Sequence, residues 1–162
     1  MDGRGVAGLA LVEHGVEQAF ARGRARPLTT AVAWLSEAYL RVGRLADAHT
    51  HAVQALGLAR QYQQRGQQAW ALWLLGESTA RQMSPEVELA SGHYNQALAL
   101  ADELGMRPLQ AHCHLGLGTL YAALGQRQQA RTELVTAIEL YQAMEMTFWL
   151  SQTEAALAQV EG

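Results

Sequence analysis

The stretch LSEAYLRVGRLADAHTHAVQA at 35–55 returns, in altered form, within LGLGTLYAALGQRQQARTELVTA at 115–137. Leu35 aligns with Leu117, Tyr39 with Tyr121, Gly43 with Gly125, Ala48 with Ala130 and Ala55 with Ala137, all at the one offset that separates the two glycines. A third copy lies between them and places Leu75, Gly76, Ala90 and Ala97 at the corresponding points. The unit is therefore about 41 residues, a length at which stacked helix pairs bury a core that no single pair could bury alone. Arrays of this kind present extended surfaces for partners, and catalysis is not their usual task.

Working outward, apolar residues recur at three and four spacing along the whole chain, and β-branched runs are missing. Pro27 and Pro108 suit first helical turns, Ser84 before Pro85 reads as an N-cap, and Gly43, Gly66, Gly105 and Gly125 suit helix ends. Helices are predicted near 5–22, 27–42, 45–64, 67–82, 86–104, 108–124, 127–144 and 147–160. The fold class is all-α: a right-handed α-solenoid of antiparallel helix pairs with about eight helices. One domain spans 1–162, divided into a leftover helix at 1–26, repeats at 27–66, 67–107 and 108–146, and a capping helix at 147–162. Small residues at Gly76, Gly118, Ala48, Ala90 and Ala130 let paired axes approach, while Leu35, Leu75, Leu117, Tyr39 and Tyr121 fill the space between them.

Composition excludes several functions. The 162 residues carry a net charge of −3 and no lysine, so no basic stripe is available to neutralise many phosphates, and no nucleic-acid partner is expected. Abundant Ala, Gly, Leu and Arg read as GC-rich coding, which fits a bacterial source. Cys113 is the only cysteine and can form no internal disulfide; it reads as a small buried hydrophobe. Val6 to Val12 lacks a signal peptide's basic flank and cleavage pattern, and no run approaches the roughly 20 apolar residues that cross a bilayer. A cytoplasmic chain with no membrane partner is the expectation.

Leu-Gly, Tyr, Ala and Ala at these offsets resemble the tetratricopeptide repeat over most of the chain. Three departures stand out: a unit longer than the family's usual length (about 41 against about 34 residues), no proline closing the second helix, and Thr79 where Tyr is expected. The middle copy is also the longer one, since the step from Gly76 to Ala90 exceeds that from Gly118 to Ala130, and the excess falls around Met83, Ser84 and Pro85. ELGMRPLQAHCHLGLGTLYAALG at 103–125 and AIELYQAMEMTFWLSQTEAALAQ at 137–159 are similar to the C-terminal tail of large bacterial proteins joining a class III adenylate/guanylate cyclase, an AAA-type ATPase and a tetratricopeptide array. That resemblance implies the regulatory part of a signalling protein, but no cyclase or ATPase motif lies in these residues.

In tetratricopeptide arrays the first helix of each repeat lines a concave groove. Carried over by offset, this gives Thr30, Ala33, Glu37 and Arg41, then Trp70, Trp73, Glu77 and Arg81, then His112, Leu115, Thr119 and Ala123. Glu37 with Arg41 and Glu77 with Arg81 are i, i+4 pairs, each worth only about 0.2–0.5 kcal/mol to a helix. Two readings stay open: Trp70 and Trp73 anchor a protein or peptide partner with the charges setting its register, or the tryptophans are packed core and the charges a solvated face. A deep, closed groove around Trp70, Trp73 and His112 would favour a small ligand; an open one would favour peptide.

Metal and catalytic chemistry find little support. His112-Cys113-His114 and His49-Thr50-His51 set their histidines two apart, about 200° around a helix. Gly116-Leu117-Gly118 has Tyr121 where a dinucleotide loop needs a third glycine and no strand before it. The lack of lysine removes a Walker or Schiff-base lysine, and Gly76-Glu77-Ser78-Thr79-Ala80 lacks the strand and second glycine of a nucleophile elbow. No cofactor and no metal are expected, and a helical-bundle enzyme is the weakest reading. Arg22, Arg24 and Arg26 read as a solvated basic connector. Leu9, Val12, Val16 and Phe20 on the first helix form a face that something should cover, either the parent chain or, by self-association, a second copy.

Overall fold

The computed structural model describes residues 3–22, 25–83 and 86–162. Among these residues eight helices follow one another: α1 (Gly3–Arg22), α2 (Ala25–Arg41), α3 (Leu45–Gln61), α4 (Arg65–Ala80), α5 (Val87–Glu103), α6 (Arg107–Ala123), α7 (Arg127–Ala143) and α8 (Thr147–Glu161). Each packs against its neighbours in sequence. Among the described residues α2, α4, α6 and α8 also touch in succession, whereas no odd-numbered helix reaches the next odd one. The even helices therefore form the inner layer of the stack and the odd helices the outer.

The starts of α3 to α8 owe nothing to side-chain caps, since Arg44, Gln64, Glu86, Met106, Gln126 and Met146 precede them without capping hydrogen bonds. The connections set the helix ends instead. Five of them are three-residue turns whose middle residue takes positive φ: Gly43 at 78°, Gln63 at 54°, Gly105 at 64°, Gly125 at 72° and Glu145 at 55°. In each, the third residue's N–H reaches five back, as Arg44 N–H to Tyr39 O at 2.9 Å and Met146 N–H to Tyr141 O at 3.0 Å, closing a Schellman motif. Gly66 is not a helix end as its sequence suggested; it lies in the first turn of α4, and Gln63 takes the left-handed turn position. A Cβ in that region is strained, so Gln63→Gly and Glu145→Gly are each expected to stabilise the fold by about 0.5–1 kcal/mol in urea unfolding.

The α4–α5 connection is longer, spanning 81–86, and Met83 there is fully exposed. The expected Ser84 cap with Pro85, and Arg24 of the basic connector, lie outside the described residues. Pro27 and Pro108 fall in the first turns of α2 and α6.

Alanines at the repeat points do close the outer layer on the inner. Ala48, Ala90, Ala130, Ala55, Ala97 and Ala137 are all fully buried, and Leu35, Tyr39, Leu75 and Leu117 join them in the core. Ser36 Oγ, one residue after Leu35, donates to Ala48 O at 2.7 Å across the α2–α3 contact. Gly118 takes the close approach expected of it, because a Cβ there would meet Leu134 side-chain carbons at 2.7 Å and its backbone N at 3.2 Å. The α1 face read as uncovered is mostly met within the chain: Leu9 and Val16 are buried and Val12 packs on the same core, Tyr39 O–H donates to Glu13 at 2.7 Å, and Phe20 remains half exposed.

Candidate functional site

Residues of the inner helices open onto one cavity of about 830 Å³. α2 contributes Glu37 and Arg41, α4 contributes Trp73, Glu77 and Arg81, and α6 contributes His112, Leu115, Thr119 and Ala123. α8, read from sequence as a cap, adds Phe148, Trp149, Gln152 and Ala156, and Tyr94 reaches in from α5. Not every expected groove residue arrives there. Ala33 is core, while Trp70 and Thr30 line a separate polar recess with Tyr62, Gln64 and Met106.

The charges of the site are paired internally. Arg41 donates to Glu37 Oε1 at 2.7 Å and is mostly exposed, so that pair belongs to the rim. Glu77 is different: it is 7% exposed, Arg81 binds its Oε2, and Tyr94 O–H donates to its Oε1 at 2.8 Å. A carboxylate removed from water in this way depends on both donors. Burial, followed by the field and hydrogen bond of Glu77, raises the Tyr94 phenol well above its ordinary range, so it stays a donor. Gly76 and Gly116 explain how the tyrosine gets there. A Cβ on Gly76 would lie 2.8 Å from the Tyr94 ring, and one on Gly116 would lie 2.4 Å from it, so the ring slots between α4 and α6 only because both positions lack side chains.

His112 sits at the centre of an aromatic cluster. Its ring centroid is 4.7 Å from Trp149, 5.5 Å from Trp73, 5.6 Å from Tyr141 and 6.2 Å from Trp70. Its Nδ1 and the Tyr141 hydroxyl are 2.7 Å apart. Burial pushes the imidazole down to about 4, with Glu37 opposing, so it is neutral at physiological pH. Trp73 is only 8% exposed but lines the cavity, and half-buried Trp70 packs on it with ring centroids 5.2 Å apart.

No protein-family model and no curated protein matches this chain. Among solved structures, the crystal structure of the apo form of RapI superposes with a TM-score of 0.70 over 94% of the chain, at 19% identity. The fold resembles the tetratricopeptide-repeat domain of RapI. The chain spans 62% of the length of RapI. At this identity the likeness to RapI extends to the fold alone.

Other expected candidates fall outside the cavity or go inward. Cys113 is fully buried and desolvation pushes its thiol up, as suits an unreactive core residue. His114 pairs with Glu133 at 2.6 Å, His49 with Ser78 at 3.2 Å and His51 with Asp47 O at 2.8 Å. Among the described residues no three His, Cys, Asp or Glu side chains gather as metal ligands, and no helix is long and apolar enough to cross a membrane. Sequence reasoning missed Tyr94, Tyr141, Phe148, Trp149 and Gln152. The period held a signal for α8, which starts one repeat length after α6 and so occupies an inner position. It also missed Trp34, 62% exposed on the α2 face that carries Glu37 and Arg41.

Proposed function

We propose that the chain is a non-catalytic interaction module that binds a protein or peptide segment in the groove of the inner helices. One observation carries the reading: four successive inner helices supply a single 830 Å³ concavity with aromatic walls, Trp73, Phe148 and Trp149, and a polar rim of Glu37, Arg41, Arg81 and Thr119. Aromatic anchors inside a ring of paired charges are the anatomy of a specific interface, with the charges fixing register. The fold supports it, since tetratricopeptide-like stacks are typically binding modules. A small ligand is the second reading, favoured by the cavity volume, which lies within the range of small-molecule sites. The similarity of 103–125 and 137–159 to the tails of cyclase–ATPase signalling proteins adds the narrower reading of a regulatory bacterial segment, whose partner would be another domain of the same chain. Self-association would use the α1 end of the stack.

The test should spare the core. Trp73 and Glu77 are buried, so substituting them would disturb folding; Thr119 is exposed within the groove and Arg41 at its rim. Thr119→Arg is expected to block the cavity with little change in melting temperature. Peptides selected from a random display library on the wild-type chain should lose at least about tenfold in affinity against Thr119→Arg, about 1.4 kcal/mol, read by fluorescence anisotropy. Equal binding to both proteins would remove the groove from consideration.

A further inference from the structure

Two residues that line the cavity carry an N–H group with no acceptor. Trp73 lines the cavity, and its indole Nε1 is buried with no hydrogen-bond partner. His112 supplies the other. The Tyr141 hydroxyl is fully buried and its hydrogen bond goes to His112 Nδ1. Were Nδ1 to donate, the tyrosine proton would be left buried without an acceptor, so the hydroxyl donates and Nδ1 accepts. The neutral imidazole then carries its proton on Nε2. No described residue bonds Nε2, it is not sealed from solvent as Trp73 Nε1 is, and His112 lines the cavity.

Charge narrows the occupant. Glu37, Arg41, Glu77 and Arg81 cancel, His112 is neutral, and each carboxylate already holds an arginine. A free cation finds its carboxylates taken, and an anion entering beside His112 meets the field of Glu37. We infer that the groove recognises an uncharged apolar side chain of an extended peptide, seated among Trp73, Phe148 and Trp149, with a peptide carbonyl accepting from His112 Nε2–H. Tyr141 is the positioning residue that fixes the tautomer. The inference rests on the peptide-groove reading and adds the chemistry of its anchor. Phe148, 67% exposed and edge-on to Trp149 at 5.4 Å, is the wall such a side chain would cover.

The test is an NMR titration of the ¹⁵N-labelled full chain with acetyl-leucine methylamide, which has an apolar side chain, two carbonyls and no charge. Acetyl-leucine and leucine methylamide serve as anionic and cationic counterparts. The neutral probe is expected to shift the Trp73 indole and His112 Nε2 signals saturably at millimolar concentration, and to bind several-fold more tightly than either charged probe. His112→Phe should weaken it by about tenfold. Tyr141→Phe keeps the packing but releases the tautomer, and should give mixed imidazole ¹⁵N shifts with intermediate affinity, which keeps the test open if His112→Phe misfolds. If the probe moves Thr119 and Trp149 signals but neither His112 nor its variants matter, the anchor chemistry is wrong while the groove stands. Tighter binding of a charged probe would also overturn it. If no probe moves any groove signal, the anchor and the peptide groove fall together.

Discussion

Gly116→Ala is expected to destabilise the protein by about 2 kcal/mol, although alanine is the better helix former by up to about 1 kcal/mol. The added Cβ would stand 2.4 Å from one Tyr94 ring carbon, 2.5 Å from the next and 2.9 Å from the hydroxyl oxygen. That ring cannot yield easily. It is 2% exposed, Gly76 is also packed against it, and its hydroxyl donates to the buried Glu77 carboxylate. Tyr94→Ala should cost about 3–5 kcal/mol as a buried aromatic truncation that also strips Glu77 of a donor. The double substitution decides the mechanism. With the ring gone, Gly116→Ala should turn neutral or mildly stabilising, giving a coupling of about 2 kcal/mol in a urea-unfolding cycle. Additive losses would mean that Gly116 serves something other than the Tyr94 seat.

Acidification supplies the second large effect. His112 has a folded pKa of about 4 against an ordinary 6.5. Above about pH 7 folded and unfolded states both hold the ring neutral, and the group adds no pH dependence. Between 6.5 and 4 the unfolded chain takes up a proton that the folded chain refuses, so stability falls as pH falls, reaching a loss of about 3 kcal/mol near pH 4. His93, lowered first by burial and then by His49, pulls the same way. His112→Gln, which keeps a polar partner for Tyr141 but cannot titrate, should flatten the fall in melting temperature between pH 7 and pH 4.5 relative to wild type. The readout is the slope, because the lost ring packing lowers the variant at every pH. Parallel curves would show that the imidazole is not held neutral by its burial.

The same burial bears on function. A histidine kept neutral across physiological pH is a fixed hydrogen-bonding group, so the proposed recognition through it should not change between pH 6 and pH 8. Its surroundings are what a binding surface needs, rigid rings on helices with the polar atoms oriented by a neighbour such as Tyr141.

Sequence alone determined the period, the eight helices, the alanines that close each pair and the glycines at Gly43, Gly105 and Gly125, because these obey local rules: helical spacing of apolar residues, small side chains at close contacts, and no Cβ at positive φ. It also put Glu37, Arg41, Trp73, Glu77, Arg81, His112 and Thr119 on inner faces, since an offset within a repeat fixes a face. Only the tertiary structure decided how deep each would lie. Glu77 and Trp73 went inward while Arg41 and Arg81 stayed at the rim, Trp70 turned to another recess, Tyr94 and Tyr141 came in from outer helices, and Trp149 came from the helix read as a cap. The physical reason is that periodicity sets a side chain's direction about its own axis. Its neighbours, and hence its burial, its hydrogen bonds and the shift of its pKa, come from how closely separate helices approach, and here Gly76 on α4 and Gly116 on α6 let both helices close on the Tyr94 ring.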